Sequence, residues 1–219
     1  MNGRTRIKVC GMREIAEVAA VVAAGVDAIG LIFVKKSLRY IDPDRAREIV
    51  GKLPPFVDAV GVFVDQDAVE VNEIVRYCGL TMVQLHGAES PAYCSEIACR
   101  VMKAFRVRES MTTEDLAPYA GMVSGFLFDT FHEKMAGGTG QTFDWHLLEK
   151  LTPPRPVILA GGLTPANVGE AVRQVRLFAV DLNSGVEFEP GRKDIDKVRA
   201  AIAEVAAADA AALRLSAGS

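Results

Sequence analysis

The segment PVILAGGLTP, residues 156–165, joins a short apolar run to two glycines and then to a proline. A run rich in branched apolar residues is typical of a buried strand, and glycine allows the chain to turn sharply after it. Proline is favoured in the first turn of a helix. The segment therefore predicts a strand, a tight turn and a helix, which together form one βα unit.

The same unit recurs along the chain in both directions. The apolar runs are nearly continuous rather than alternating, as expected for parallel strands that are covered on both faces. They predict strands over Arg6–Cys10, Ala28–Val34, Ala59–Val64, Met82–His86, Val101–Val107, Gly125–Asp129, Pro156–Ala160 and Leu177–Leu182.

Amphipathic stretches with helical spacing separate these runs. Asp42 is a plausible N-cap for the second of them, with Pro43 at its first helical position. The predicted helices are Glu14–Ala24, Pro43–Leu53, Ala68–Cys78, Pro91–Ala98, Thr113–Tyr119, Asp144–Leu151, Pro165–Val175 and Asp194 to about Ala208.

Strict alternation of strands and helices indicates the α/β class. A doubly wound open sheet also uses βα units, but eight of them in 219 residues favour a (β/α)8, or TIM, barrel, in which parallel strands close inside a ring of helices. No shift in composition marks a linker. We therefore predict one domain over residues 1–219, with an alanine-rich tail that frays from about residue 207.

The bulk composition limits the classes of partner. Half of the residues are hydrophobic, 24% are charged and the net charge is −3, which suits a globular domain and argues against nucleic acid or an anionic membrane. No apolar signal segment opens the chain, so we expect a cytoplasmic protein. We expect a monomer, with a homodimer as the alternative. The cysteines, which form no CxxC pair, are expected to be free thiols: Cys10, Cys78, Cys94 and Cys99.

Glycine-containing turns follow the last two predicted strands. Gly161 and Gly162 end the seventh strand, and Ser184 and Gly185 follow the eighth. Bare backbone N–H groups can approach an anion there, and barrels commonly bind phosphate between these two strands. The alternative is that the glycines only permit tight turns. The occurrence of both turns together favours phosphate.

Two reactive side chains close other strands. Asp129 ends an apolar strand at the mouth of the barrel, where partial exclusion of water would disfavour its ionised form and suit a general acid. The alternative is that Asp129 caps a helix or pairs with a lysine. Cys10 ends the first strand before Gly11, where a thiolate could act as a base. Cysteine is more often a buried, inert residue.

Two further side chains have a binding and a structural interpretation. Arg39 lies in a loop with Lys35 and Lys36. Its planar guanidinium group suits a carboxylate of the substrate. The alternative is that the loop is a basic segment exposed to solvent. His86 either contacts a ligand or hydrogen bonds within its own turn.

These motifs together resemble phosphoribosylanthranilate isomerases, and the resemblance runs in order from about Lys8 to the last helix. The opening Cys-Gly, the Gly-Gly-Thr-Gly loop and the Ser-Gly-Val-Glu turn are specific in combination. The matching segments are residues 8–12 (KVCGM), 30–33 (GLIF), 36–41 (KSLRYI), 60–64 (VGVFV), 83–87 (VQLHG), 127–130 (LFDT), 137–145 (GGTGQTFDW), 159–163 (LAGGL) and 180–187 (VDLNSGVE).

The resemblance implies an Amadori rearrangement, the third step of tryptophan biosynthesis from chorismate. Cys10 would be the general base and Asp129 the general acid. The remaining positions that the resemblance assigns to the substrate are Arg39 for the anthranilate carboxylate, Gly161, Gly162, Ser184 and Gly185 for the phosphate, Asp181 in support, and Gln84 and His86 as lining residues. No metal or cofactor is expected, because the substrate nitrogen is the electron sink.

Two departures from the family pattern and three alternatives stay open. Asn183 stands where many relatives have serine, and Gln141 where many have lysine.

A metal-dependent pentose-phosphate epimerase would need several ligands at strand ends, where only His86 of the three histidines falls. An isomerase of histidine biosynthesis would ordinarily have a carboxylate in place of Cys10. A phosphate-binding barrel without catalysis would lack the acid or the base.

Overall fold

In the computed structural model the described residues are 4–129, 145, 148, 151–175 and 177–217, with the side chains of the last helix described through Arg214. Eight parallel strands form a closed barrel in chain order, and β1 pairs with both β2 and β8. The predicted barrel is confirmed. Its strands are β1 (Arg6–Cys10), β2 (Ala28–Ile32), β3 (Asp58–Phe63), β4 (Met82–Leu85), β5 (Arg100–Arg106), β6 (Gly125–Asp129), β7 (Val157–Ala160) and β8 (Ala179–Leu182).

Helices connect most of the strands. Asp42 caps the second helix by accepting a hydrogen bond from the Arg45 amide, as predicted. The helix predicted over Asp144–Leu151 lies largely outside the described residues. The described α-helices are α1 (Ile15–Ala23), α2 (Pro43–Val50), α3 (Ala68–Cys78), α4 (Pro91–Glu96), α5 (Val168–Gln174) and α6 (Ile195–Ala217). None of them is long and apolar enough to cross a membrane.

The structure corrects the predicted helix over Thr113–Tyr119. Two short 3-10 helices, Thr113–Asp115 and Ala117–Tyr119, occupy this stretch. Pro118 explains the difference, because proline has no N–H group and its ring would collide with the carbonyl four residues earlier in an α-helix.

Several other helix boundaries also differ from their predictions, and two of the differences have a physical explanation. The helix after β7 begins at Val168 rather than Pro165, because the Asn167 side chain accepts a hydrogen bond from the Thr164 amide and donates one to the Gly162 carbonyl, which holds a separate turn. The tail that was predicted to fray is helical through Ala217. Alanine is the strongest helix former, which explains this extension.

The strands bury side chains on both faces. Residues facing the helices form the large outer core, in which Val9, Ile29 and Leu159 are fully buried. Residues at alternate positions form the barrel interior, whose apolar floor includes Val60 and Leu127. This arrangement explains why the strand sequences are apolar without alternation.

We expect the Leu127→Ala substitution to lower the free energy of unfolding by about 2–5 kcal/mol, because it opens a cavity in the floor of the barrel. Leu127 is fully buried, whereas Leu213 is 58% exposed. The matched control Leu213→Ala should change stability by less than about 0.5 kcal/mol. Urea unfolding measures both, and equal losses would contradict this description of the core.

Candidate active site

Cys10 ends β1 on the inner face of the barrel. Its side chain is 4% exposed and packs with Ile32 and Val62. Gly30 is its register partner on β2, and a Cβ atom there would lie 2.6 Å from the Cys10 sulfur. Glycine at position 30 therefore makes the space that the sulfur occupies.

Lys8 lies one inward position before Cys10 and is buried at 4% exposure. Its ammonium group donates to Asp181 Oδ2 at 2.6 Å and to Gln84 Oε1 at 3.0 Å. The second carboxylate oxygen of Asp181 has no hydrogen-bond partner among the described residues. A buried lysine thus joins strands β1, β4 and β8 across the interior, above the apolar floor.

The hydrogen bonds continue from Gln84 to the carboxyl that closes β6. Gln84 Nε2 lies 2.8 Å from His86 Nδ1, and His86 Nε2 lies 3.1 Å from Asp129 Oδ2. The side chains of His86 and Asp129 are 24% and 20% exposed, whereas Gln84 is buried. An unbroken chain of polar contacts therefore runs from beneath Cys10 to Asp129.

Charge and burial act in opposite directions on Cys10. Burial raises the pKa of the thiol, and the negative charge of Asp181 adds to this rise. The ammonium groups of Lys8 and Lys193 lower the pKa, but it stays above its usual value. The thiol is therefore the prevailing form at neutral pH, and the two lysines are the groups that favour the thiolate.

Arg39 forms a two-pronged ion pair with Glu187. Its Nε donates to one carboxylate oxygen at 2.9 Å and its Nη2 to the other at 2.6 Å. The Arg39 side chain is 21% exposed and that of Glu187 only 5%. Lys35 and Lys36, in contrast, are exposed. The guanidinium is held in one orientation, and the rest of the basic loop is in solvent.

A small hairpin that the sequence did not reveal holds Glu187. Strand β9 (Glu187–Glu189) pairs antiparallel with β10 (Arg192–Lys193). The hairpin turns at Gly191, whose φ of 82° suits glycine. Lys193 Nζ donates to Glu187 Oε1 at 2.7 Å and to Asn183 Oδ1 at 3.0 Å. Asn183, a departure from the family pattern, therefore anchors this lysine.

The two glycine turns contact each other. Gly161 and Gly162 have φ values of 89° and 64°, which L-residues rarely adopt. A Cβ atom at Gly185 would lie 1.9 Å from the Leu163 carbonyl oxygen, so only glycine fits there. Ser184 begins a 3-10 helix and is exposed. The turns after β7 and β8 thus form one continuous surface with exposed backbone.

The predicted site residues all lie at or just below the carboxyl end of the barrel. Gln84 and Asp181, however, are buried in the polar layer beneath the mouth. Lys8, Glu187 and Lys193 received no role from the sequence. Strand alternation could have found Lys8, since residues two apart share a face. Gln141 and the loop of residues 137–140 lie outside the described residues.

Comparison with known proteins identifies the family. The model of the N-(5'-phosphoribosyl)anthranilate isomerase family matches residues 7–204. The isomerase of that name from Trichlorobacter lovleyi is 49% identical over 195 residues, which cover 89% of this chain and 94% of the relative.

Solved structures agree with the sequence relatives. Phosphoribosyl anthranilate isomerase from Thermotoga maritima has a TM-score of 0.81 and 38% identity, covering 93% of this chain and 99% of that one. A phosphoribosyl anthranilate isomerase in complex with reduced 1-(o-carboxyphenylamino)-1-deoxyribulose 5-phosphate has a TM-score of 0.78, 36% identity and the same coverage. This chain therefore belongs to the N-(5'-phosphoribosyl)anthranilate isomerase family.

Proposed function

We propose that the chain catalyses the Amadori rearrangement of N-(5'-phosphoribosyl)anthranilate to 1-(2-carboxyphenylamino)-1-deoxyribulose 5-phosphate, the third step of tryptophan biosynthesis from chorismate. One observation carries the proposal beyond family membership. A thiol and a carboxyl close opposite parts of one barrel mouth, at Cys10 and Asp129. Beneath the mouth, a chain of polar contacts runs from Lys8, two residues before Cys10, to Asp129.

Asp129 acts first, as the general acid. It gives its proton to the ribose ring oxygen while the bond from that oxygen to C1 breaks, and the lone pair of the anthranilate nitrogen forms a C=N bond. The ring opens to a protonated Schiff base. The partly exposed position of Asp129, beside His86, supports this role, because a general acid must be within reach of the bound sugar.

Cys10 acts second, as the general base. The positive Schiff base acidifies the neighbouring C2–H bond, and the thiolate removes that proton while the electron pair returns to nitrogen. The resulting enol takes a proton at C1 and loses the proton of its C2 hydroxyl, which gives the ketone, so no oxidant or reductant is needed. The two groups lie on strands well separated around the barrel, as sequential attack on one substrate requires.

The turns after β7 and β8 bind the phosphate. Gly161, Gly162, Ser184 and Gly185 present backbone N–H groups and one hydroxyl on a surface that the contact between Gly185 and Leu163 makes continuous. Backbone amides in such turns form concave anion sites.

Arg39 binds the anthranilate carboxylate. Its ion pair with Glu187 orients the guanidinium by two of its donors, and arginine carries five. Gln84 and Asp181 then serve the substrate indirectly, from the buried layer under the mouth.

We also infer a cytoplasmic location and a monomer. The homodimer is the alternative, and the exposed apolar side chain of Phe56, on a loop before β3, is a feature that fits it. Sedimentation velocity distinguishes the two states: a single species of 23.6 kDa supports the monomer, and a species of twice that mass contradicts it.

We expect Cys10→Ala and Asp129→Ala each to reduce turnover by at least about 100-fold, because each removes one proton-transfer group. The decrease in substrate fluorescence as purified protein consumes phosphoribosylanthranilate measures the rate. Cys99→Ala is the matched control, since this partly buried thiol lies near no proposed site residue. Near-wild-type turnover in either active-site variant would show that its assigned role is wrong.

Arg39→Ala should raise KM more than it lowers kcat, because it removes a contact made to the substrate before and during the reaction. Lys36→Ala, in the same loop but exposed, should change neither constant. Steady-state kinetics on both variants tests this, and an unchanged KM in Arg39→Ala speaks against carboxylate binding.

Gly185→Ala should abolish phosphate binding, because the new methyl group collides with the Leu163 carbonyl and separates the two turns. The rise in melting temperature on adding inorganic phosphate reports binding within each variant. Gly121→Ala, where a Cβ atom meets nothing within 4 Å, should keep the wild-type rise. A full rise in Gly185→Ala would place the phosphate elsewhere.

A further inference from the structure

Lys8 is the centre of the buried polar layer, and no proposed step uses it. Its Nζ contacts Asp181 on one side and Gln84 on the other, and its strand continues to Cys10 two residues later. Any role for Lys8 in the reaction rests on the proposed function, since it must act through Cys10 and Asp129.

Lys8 is held as a cation in this position. Burial is the largest single influence and lowers the pKa of Lys8, but the carboxylate of Asp181 at 2.6 Å and the sulfur of Cys10 together raise that pKa above its usual value. The charge of Lys8 in turn lowers the pKa of the Cys10 thiol, against the effect of burial.

Among the described residues, the charges around Cys10 together favour a thiolate, against the effect of burial. Lys8 and Asp181 act on it from β1 and β8, Lys193 from β10 and Arg39 from the loop after β2. Glu187 pairs with both Lys193 and Arg39. Three cations thus face two carboxylates, and a thiolate brings the formal charge of the cluster to zero. Without Lys8 the same cluster is neutral before Cys10 ionises.

Lys8 also fixes the orientation of the Gln84 amide. An ammonium group only donates hydrogen bonds, so the atom of Gln84 that lies 3.0 Å from it must be the carbonyl oxygen. The amide nitrogen then faces His86 Nδ1 at 2.8 Å.

The amide orientation determines the tautomer of His86. Gln84 Nε2 only donates, so His86 Nδ1 must accept and the ring proton lies on Nε2. Nε2 therefore donates to Asp129 Oδ2.

We propose that Lys8 is a positioning residue for both halves of the reaction: it stabilises the Cys10 thiolate from below, and through Gln84 it fixes the His86 tautomer that orients Asp129. One side chain thereby serves a base on β1 and an acid on β6.

The stabilisation of the Cys10 thiolate by Lys8 is tested by alkylating Cys10 with iodoacetamide as a function of pH. Mass spectrometry of the peptide that contains Cys10 follows the reaction. In Lys8→Met the rate at pH 8 should fall by about 10-fold, which corresponds to one pKa unit, and the midpoint should move to higher pH. Lys8→Arg should recover part of the rate. Turnover should fall with KM little changed.

Lys103→Met is the matched control. Lys103 is equally buried and pairs with Glu89 at 3.1 Å, but on the outer face of the barrel. Its loss should lower stability without moving the alkylation profile. If Lys8→Met shifts the profile no more than Lys103→Met does, Lys8 is merely structural and the proposal is wrong. Should Lys8→Met not fold, Lys8→Met/Asp181→Asn removes both charges and leaves the formal charge of the cluster as in the wild type. Because Lys8 acts on the pKa of Cys10 more strongly than Asp181 does, this variant should still alkylate more slowly than the wild type.

The link from Lys8 through Gln84 to the His86 tautomer is tested on the unaltered chain. ¹⁵N NMR of the histidines, with His86 assigned from the spectrum of His86→Asn, should show the proton on Nε2. A proton on Nδ1 would overturn the link through Gln84. Neither readout needs substrate. Loss of the proposed isomerase activity alone would therefore leave both results interpretable, and failure of either readout would not affect the assigned reaction.

Discussion

Parallel hydrogen bonding between β1 and β8 is the constraint on which the site depends. It closes the sheet and sets the register that places Lys8 beside Asp181. It also brings the strand that ends in Cys10 next to the strand that leads into Ser184 and Gly185. The proposed base and the proposed phosphate turn are therefore neighbours because the first and last strands of the barrel are neighbours.

The barrel interior is layered, and each layer has a different role. An apolar floor that includes Val60 and Leu127 lines the lower part. The polar layer of Lys8, Gln84 and Asp181 lies above it. Removing one partner from a buried ion pair is strongly destabilising, because the other charge is left unpaired. The polar layer is thus a rigid base for the side chains at the mouth.

The sequence predicted the barrel well because each strand is an apolar run with both faces buried, a pattern that local composition reveals. It failed where a single residue overrides the pattern, as Pro118 does in the stretch before β6. The sequence also predicted that Cys10, Arg39 and Asp129 lie at strand ends or in the loops after them. Chain order alone determines which residues follow a strand in a barrel.

The contacts of those residues could not be predicted in the same way. The partner of Arg39 is Glu187, and its separation of 148 positions in the chain leaves no local signal. The hairpin that carries Glu187 consists of two very short strands with charged residues, which resemble a loop in composition. The chain from Lys8 to Asp129 likewise depends on side-chain register across three strands.

The pairs Lys8–Asp181, Lys103–Glu89 and Lys193–Glu187 all have side chains at most 6% exposed. The hydration of charged groups becomes less favourable as temperature rises, so the penalty for burying such pairs declines on heating. Their net contribution to the folded state consequently grows with temperature. Replacing them by apolar residues of similar size would favour the fold more in the cold than in the heat.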